Sequence, residues 1–137
     1  MPTLLLLVRH ALSTNNVLEE KLKAELGDEF KPRYNKEKSC DPHIAAPTGT
    51  QQAVALASVF RDILNHVPKP FLGAPVELVS STMNRSLSTM VPIAKELGLP
   101  VKVLPEIHEA GGCWTSELGG QPGATPQEIE ATFPGFH

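Results

Sequence analysis

An α/β fold is what this sequence predicts, with a mainly parallel sheet between two helical layers in a three-layer α/β/α arrangement. Three observations lead there. Short apolar runs at Leu4–Val8, Ala74–Ser80 and Val101–Leu104 have the length of strands. Longer stretches between them, at 48–65 and 84–97, repeat their apolar residues at helical spacing, and strands alternating with helices make parallel sheets. The first run lacks polar alternation altogether, which is the pattern of a strand covered on both faces.

The first strand, Leu4–Val8, ends on Arg9 and His10, at the carboxyl edge where open α/β sheets bind ligands. From about 17 to 40 the chain turns polar, a mixed-charge insertion in which Val17–Leu26 suits a short helix broken at Gly27 and kept broken by Pro32. That stretch is either a solvated face or a lid whose basic residues help hold an anion. Pro47 and Thr48, a good N-cap, open a helix over 48–65, whose stripe of Ala53, Leu56, Ala57, Phe60, Ile63 and Leu64 faces the sheet. A proline-rich connector, Val67–Pro70, precedes the second strand. The helix over 84–97 closes at Gly98, and Pro92 inside it predicts a bend or a break. After the short strand at 101–104 comes a glycine-rich stretch, 111–121, with the sole tryptophan, Trp114, read as a loop at the rim of the site. Thr125, Pro126 and Glu128 form a capping box for a helix to about Phe133, stopped by Pro134 and Gly135.

The chemistry concentrates where the first strand ends. A guanidinium offers a rigid fork of donors to phosphate or carboxylate, and it keeps its charge at ordinary pH. Neutral imidazole can attack phosphorus and form a covalent intermediate. A second arginine, Arg85, follows the second strand, and two guanidiniums at the ends of parallel strands can hold phosphoryl oxygens while charge develops in transfer.

The segment Arg9-His10-Ala11-Leu12-Ser13-Thr14-Asn15-Asn16 resembles the R-H-G-x-S-x-x-N motif of the histidine phosphatase superfamily, the phosphoglycerate mutase-like proteins. Ala11 departs from the family glycine but is also small. Further resemblances lie in Ser80, Ser81, Arg85 and Thr89, matching S-S-x-x-x-R-x-x-x-T, and in Asp41, Thr48, Gly49, Gln52 and Ala53, matching a segment that sets the fold. Leu104-Pro105-Glu106 begins a match to L-x-E-x-x-x-G. The resemblance implies that His10 is the phosphate-accepting nucleophile and that Arg9, Asn16 and Arg85 hold the phosphoryl group. Glu106 matches the general acid, with Glu109, three residues on, left open. It implies a phosphohydrolase acting on phosphate monoesters, or alternatively a mutase-type phosphotransferase or a non-catalytic module that binds phosphorylated ligands. No cofactor is implied, because arginines meet the charge. The family's second catalytic histidine falls beyond residue 137, so the resemblance makes 1–137 one partial domain, its C-terminal part missing, with weak or no turnover. Self-association through an exposed sheet edge is the expected consequence.

Composition narrows the partners. With 12 basic and 15 acidic residues, net −3, and no long run of either sign, a phosphorylated small molecule fits better than nucleic acid or a membrane surface. No apolar stretch has the length to span a bilayer and the leucine run lacks the flanks of a signal peptide, so a cytoplasmic protein is expected. Cys40 and Cys113 lie far apart and are expected as free thiols, and the five histidines show no metal-ligand spacing.

Overall fold

The computed structural model describes residues 3–109, 112–117 and 119–137. Helix α1, Thr14–Leu26, starts three residues before the expected position because Ser13 and Asn16 form a capping box. A 3-10 turn, Gly27–Phe30, leads into α2, Lys31–Glu37, with proline in its first turn. The polar insertion is therefore helical, and it buries Leu22 and Phe30 beneath its charged face. Its ions pair largely among themselves, Lys23 with Glu19 at 2.8 Å and Arg33 with Glu37 at 2.6 Å.

Helix α3 spans Thr48–Asn65 and α4 spans Asn84–Leu97, the bounds that the sequence predicts. Thr48 is the first helical residue rather than the cap, a place taken by Pro47 without a side-chain bond. At the far end of α4, Gly98 adopts the left-handed conformation, φ 64° and ψ 30°. Pro92 neither ends nor divides α4. The helix is packed against both α3 and the sheet and buries Leu87, Thr89, Ile93 and Ala94, which outweighs the bond that proline removes. Arg61 of α3 and Glu96 of α4 are ion-paired across this contact.

Strand β1, Leu78–Ser80, pairs in parallel with β2, Val101–Val103, in register Leu78 to Val101 and Ser80 to Val103. Both are shorter than the apolar runs that contain them. On the other edge of β2, residues 135–137 continue the sheet in parallel: Val101 donates to the Gly135 carbonyl at 3.1 Å and His137 donates to the Val101 carbonyl at 3.0 Å. The core gathers Leu78, Val101, Leu87, Ile93, Ile129 and Phe136. Trp114–Thr115 and Gly119–Gly120 form β3 and β4, an antiparallel pair where the sequence suggested a loop. Helix α5, Pro126–Thr132, has the expected Thr125–Glu128 capping box.

The first expected strand is the main correction. Leu4–Val8 belongs to no ladder among the described residues, and it is exposed, Leu5 at 74% and Leu7 at 86%. A doubly covered strand needs a neighbour in the sheet and side chains above and below it, and the described residues supply neither to this run.

Candidate active site

What does become ordered is the turn that follows His10. The Ala11 amide donates to Thr89 Oγ1 at 3.0 Å, and that hydroxyl donates to the Arg85 carbonyl at 2.7 Å, so His10 is hung one turn of α4 away from Arg85. The Leu12 amide donates to Gln52 Oε1 at 2.8 Å, the Ala45 amide to the Leu12 carbonyl at 2.7 Å, and the Thr14 amide to the His43 carbonyl at 2.9 Å. Gly49 completes the clamp, for a Cβ there would run into the Leu12 carbonyl oxygen. The segment read as setting the fold does so by gripping the loop beside the candidate nucleophile.

His10 is half-buried, and its Nδ1 lies 2.7 Å from the Ala11 carbonyl. A carbonyl only accepts, so Nδ1 carries the proton and Nε2 is left with the lone pair. Asn16 is less free than its motif position suggests. Its Oδ1 accepts from the Ser13 amide at 3.1 Å and from the Ser13 hydroxyl at 2.8 Å, so only its amide nitrogen could face a phosphate. Arg9 is exposed and joins no salt bridge among the described residues.

Arg85 sits in the best-developed polar environment of the chain. Its side chain is 10% exposed, and its guanidinium is paired with the Glu109 carboxylate, itself 68% exposed. Three other groups feel that charge. Burial raises the Tyr34 hydroxyl above its ordinary range, with Arg85 pulling the other way. Desolvation raises the Asp41 carboxyl, opposed by the Asn84 amide, which donates to it at 2.9 Å, and by Arg85. Burial also raises the Cys113 thiol. Glu106, in the 3-10 turn Pro105–Ile107, is exposed.

The structure therefore joins the His10 loop, Arg85 and Glu109, and leaves Arg9 and Glu106 at the surface. Tyr34 was missed by sequence reasoning, since nothing in its spacing announces that α2 folds back toward Arg85. Thr89 was visible as a motif residue but not as the link between the two halves of the site. Ala110, where the L-x-E-x-x-x-G segment matched by Glu106 would place its glycine, lies outside the described residues. Among the described residues no group of three or more His, Cys, Asp or Glu side chains could hold a metal ion. Among them, too, no helix is long and apolar enough to cross a membrane.

A family model described as the histidine phosphatase superfamily (branch 1) matches residues 5–137. No curated protein matches the chain. Among solved structures, mycobacterial hydrolase 1 is similar at 24% identity and a TM-score of 0.47, with 92% of this chain and 45% of that one covered. A mycobacterial glucosyl-3-phosphoglycerate phosphatase complexed with VO3 is similar at 24% identity and a TM-score of 0.48, with 92% and 47% covered. This chain thus spans about half the length of those structures.

Proposed function

Because the chain belongs to the histidine phosphatase superfamily, branch 1, we propose that it is the nucleophile-bearing part of a phosphohydrolase that acts on phosphate monoesters through a phosphohistidine at His10. Nε2 attacks phosphorus and the bond from phosphorus to the leaving oxygen breaks, that oxygen taking a proton from a carboxylic acid. Water then attacks the phosphohistidine, releasing inorganic phosphate and restoring the imidazole. Arg85, joined by Arg9 and the amide nitrogen of Asn16, meets the charge on the phosphoryl oxygens.

The observation that supports this reading best is the chain of bonds from the Ala11 amide through Thr89 to Arg85, with the His10 tautomer fixed so that Nε2 is the nucleophilic nitrogen. Of the two candidate acids, Glu109 is the better supported, because its carboxylate already reaches Arg85 whereas Glu106 faces solvent. A phosphoryl group taking up the Arg85 donors releases Glu109 beside it, where, protonated, it can serve the leaving oxygen. Residues 1–137 by themselves are read as weak in turnover, since the apolar run that leads to Arg9 and His10 is uncovered and gives them no support from the sheet. The substrate is read as a phosphorylated small molecule and the setting as cytoplasmic, in keeping with two unbridged thiols.

Incubation with a small phosphodonor such as acetyl phosphate tests the reading. The expected product is an acid-labile phosphoryl group on His10, absent from His10→Ala and retained by His43→Ala. Absence of phosphohistidine, with phosphate still bound, would favour the binding-module alternative. Phosphoryl transfer to an added alcohol in preference to water would favour the mutase.

A further inference from the structure

Beside Arg85 lies a pair of thiols for which the reaction has no use. Cys40 follows the insertion and Cys113 precedes β3, and the two side chains are near neighbours. The two segments that carry them are held side by side by independent contacts. The Lys38 ammonium lies 4.8 Å above the Trp114 ring, and the Ser116 hydroxyl donates to the Asn35 carbonyl at 2.8 Å. Each cysteine is also fixed from its own side. Ser39 exchanges two hydrogen bonds with the Asn15 amide, at 2.8 and 2.9 Å, and the Cys113 sulfur lies 3.7 Å from that of Met83. Both thiols are free in the structure.

We propose that Cys40 and Cys113 form a reversible redox pair, closed to an intramolecular disulfide by a small oxidised disulfide such as glutathione disulfide. Cys40, the more accessible of the two, attacks as its thiolate, expelling one glutathione thiolate and forming a mixed disulfide. Cys113 loses its proton to solvent and attacks the Cys40 sulfur, expelling the second glutathione. Two protein thiols are oxidised and one glutathione disulfide is reduced to two glutathiones. Burial keeps the Cys113 thiol protonated in the resting chain, which suits the resolving role rather than the attacking one. The bridge fastens the segment bearing Asp41, which holds the first turn of α4 through the Asn84 amide, to the segment that follows Glu109. Both flank Arg85, so oxidation stiffens two walls of the site at once.

The test uses the whole chain equilibrated at graded ratios of reduced to oxidised glutathione, quenched with an alkylating agent and weighed without reduction. The expected species is a monomer lighter by two hydrogens, whose proteolytic fragments contain Cys40 joined to Cys113. Excess glutathione restores the dithiol. Emission from Trp114, adjacent to Cys113, is expected to fall on oxidation, because disulfides quench neighbouring indoles. Cys40→Ser should remove both changes and leave far-ultraviolet circular dichroism unaltered. Separate, persistent glutathione adducts on the two cysteines, bridging only between chains, or no oxidation at all would each overturn the proposal. The mass readout on the unaltered chain decides the matter even if the variant folds poorly.

Discussion

Arg85 is the residue on which the electrostatics of the site turn, and in the resting chain an internal anion already occupies it. Removing that anion's charge should help an external one: Glu109→Gln is expected to tighten inorganic phosphate binding by about fivefold, the scale of a half-exposed ion pair. The same variant should slow turnover if Glu109 supplies the proton, whereas Glu106→Gln should leave both binding and turnover near those of the parent. Isothermal titration with phosphate, paired with release of a good and a poor leaving group, measures the two effects separately. Loss of activity confined to Glu106→Gln would return the acid role to that residue. The position of Arg85 after β1 was legible in the sequence, because strand, turn and helix start are local features with local markers. Which of two carboxylates three residues apart reaches it was not legible, since that depends on the direction of the backbone after the Pro105–Ile107 turn. Nor could spacing reveal that Asn16 gives its carbonyl oxygen to Ser13.

Among the elements, the bounds of α3 and α4 were readable because stripe periodicity, and for α4 the closing Gly98, are local features, although the cap expected at Thr48 is not used. Of the bend or break expected at Pro92 the break does not occur, because its effect depends on what surrounds α4, and that information is not local. Two variants separate local from tertiary causes. Gly49→Ala in a helix ordinarily gains stability, by about 1 kcal/mol. Here the new methyl meets the Leu12 carbonyl, a backbone atom with little room to retreat, so a net loss of about 1–3 kcal/mol is expected in denaturant titration. The Thr125 cap of α5 gives a contrasting, purely local case. Its backbone N–H and hydroxyl donate to the Glu128 carboxylate at 2.8 Å and hold it below the ordinary glutamate range. The folded value lies below the unfolded one, so this contribution is present above the ordinary glutamate range and is lost as pH falls through the depressed value. Glu128→Gln should therefore melt earlier than the parent at neutral pH, and the two melting curves should converge in acid. A gap that persisted unchanged at low pH would mean that hydrogen-bond geometry alone, without charge, makes the cap.

For the molecule as a whole, the largest departure from the sequence reading is also its chief liability. Leu4–Val8 has the composition of a central strand, yet it is uncovered, and the outer edge of β1 is unpaired among the described residues. An uncovered apolar run and a free parallel edge in one molecule each invite pairing with another copy. Residues 1–137 are expected to self-associate in a concentration-dependent way, and replacing the two most exposed leucines together, Leu5→Lys with Leu7→Lys, should shift the population toward monomer. Sedimentation velocity over a wide concentration range reads this directly, and a chain that stays monomeric throughout would show that the run is sequestered in solution. Periodicity could say that the run prefers burial. It could not say what buries it.

The clamp around His10 also sets the kind of anion site this can be. In many phosphate-binding loops the turn before a helix offers its bare amides to the ligand, aided by the helix dipole. Here the amides of Ala11, Leu12, Ser13 and Thr14 donate to Thr89, Gln52, Asn16 and His43 respectively, so these four are already engaged within the chain. On the proposed reading, recognition falls chiefly to the Arg9 and Arg85 cations beside the Asn16 side-chain amide, and the cations' pull on a distant dianion is screened by dissolved salt over about 10 Å at 0.1 M ionic strength. Affinity for phosphate should therefore fall steadily as sodium chloride is added, as in an ion exchanger rather than a backbone nest.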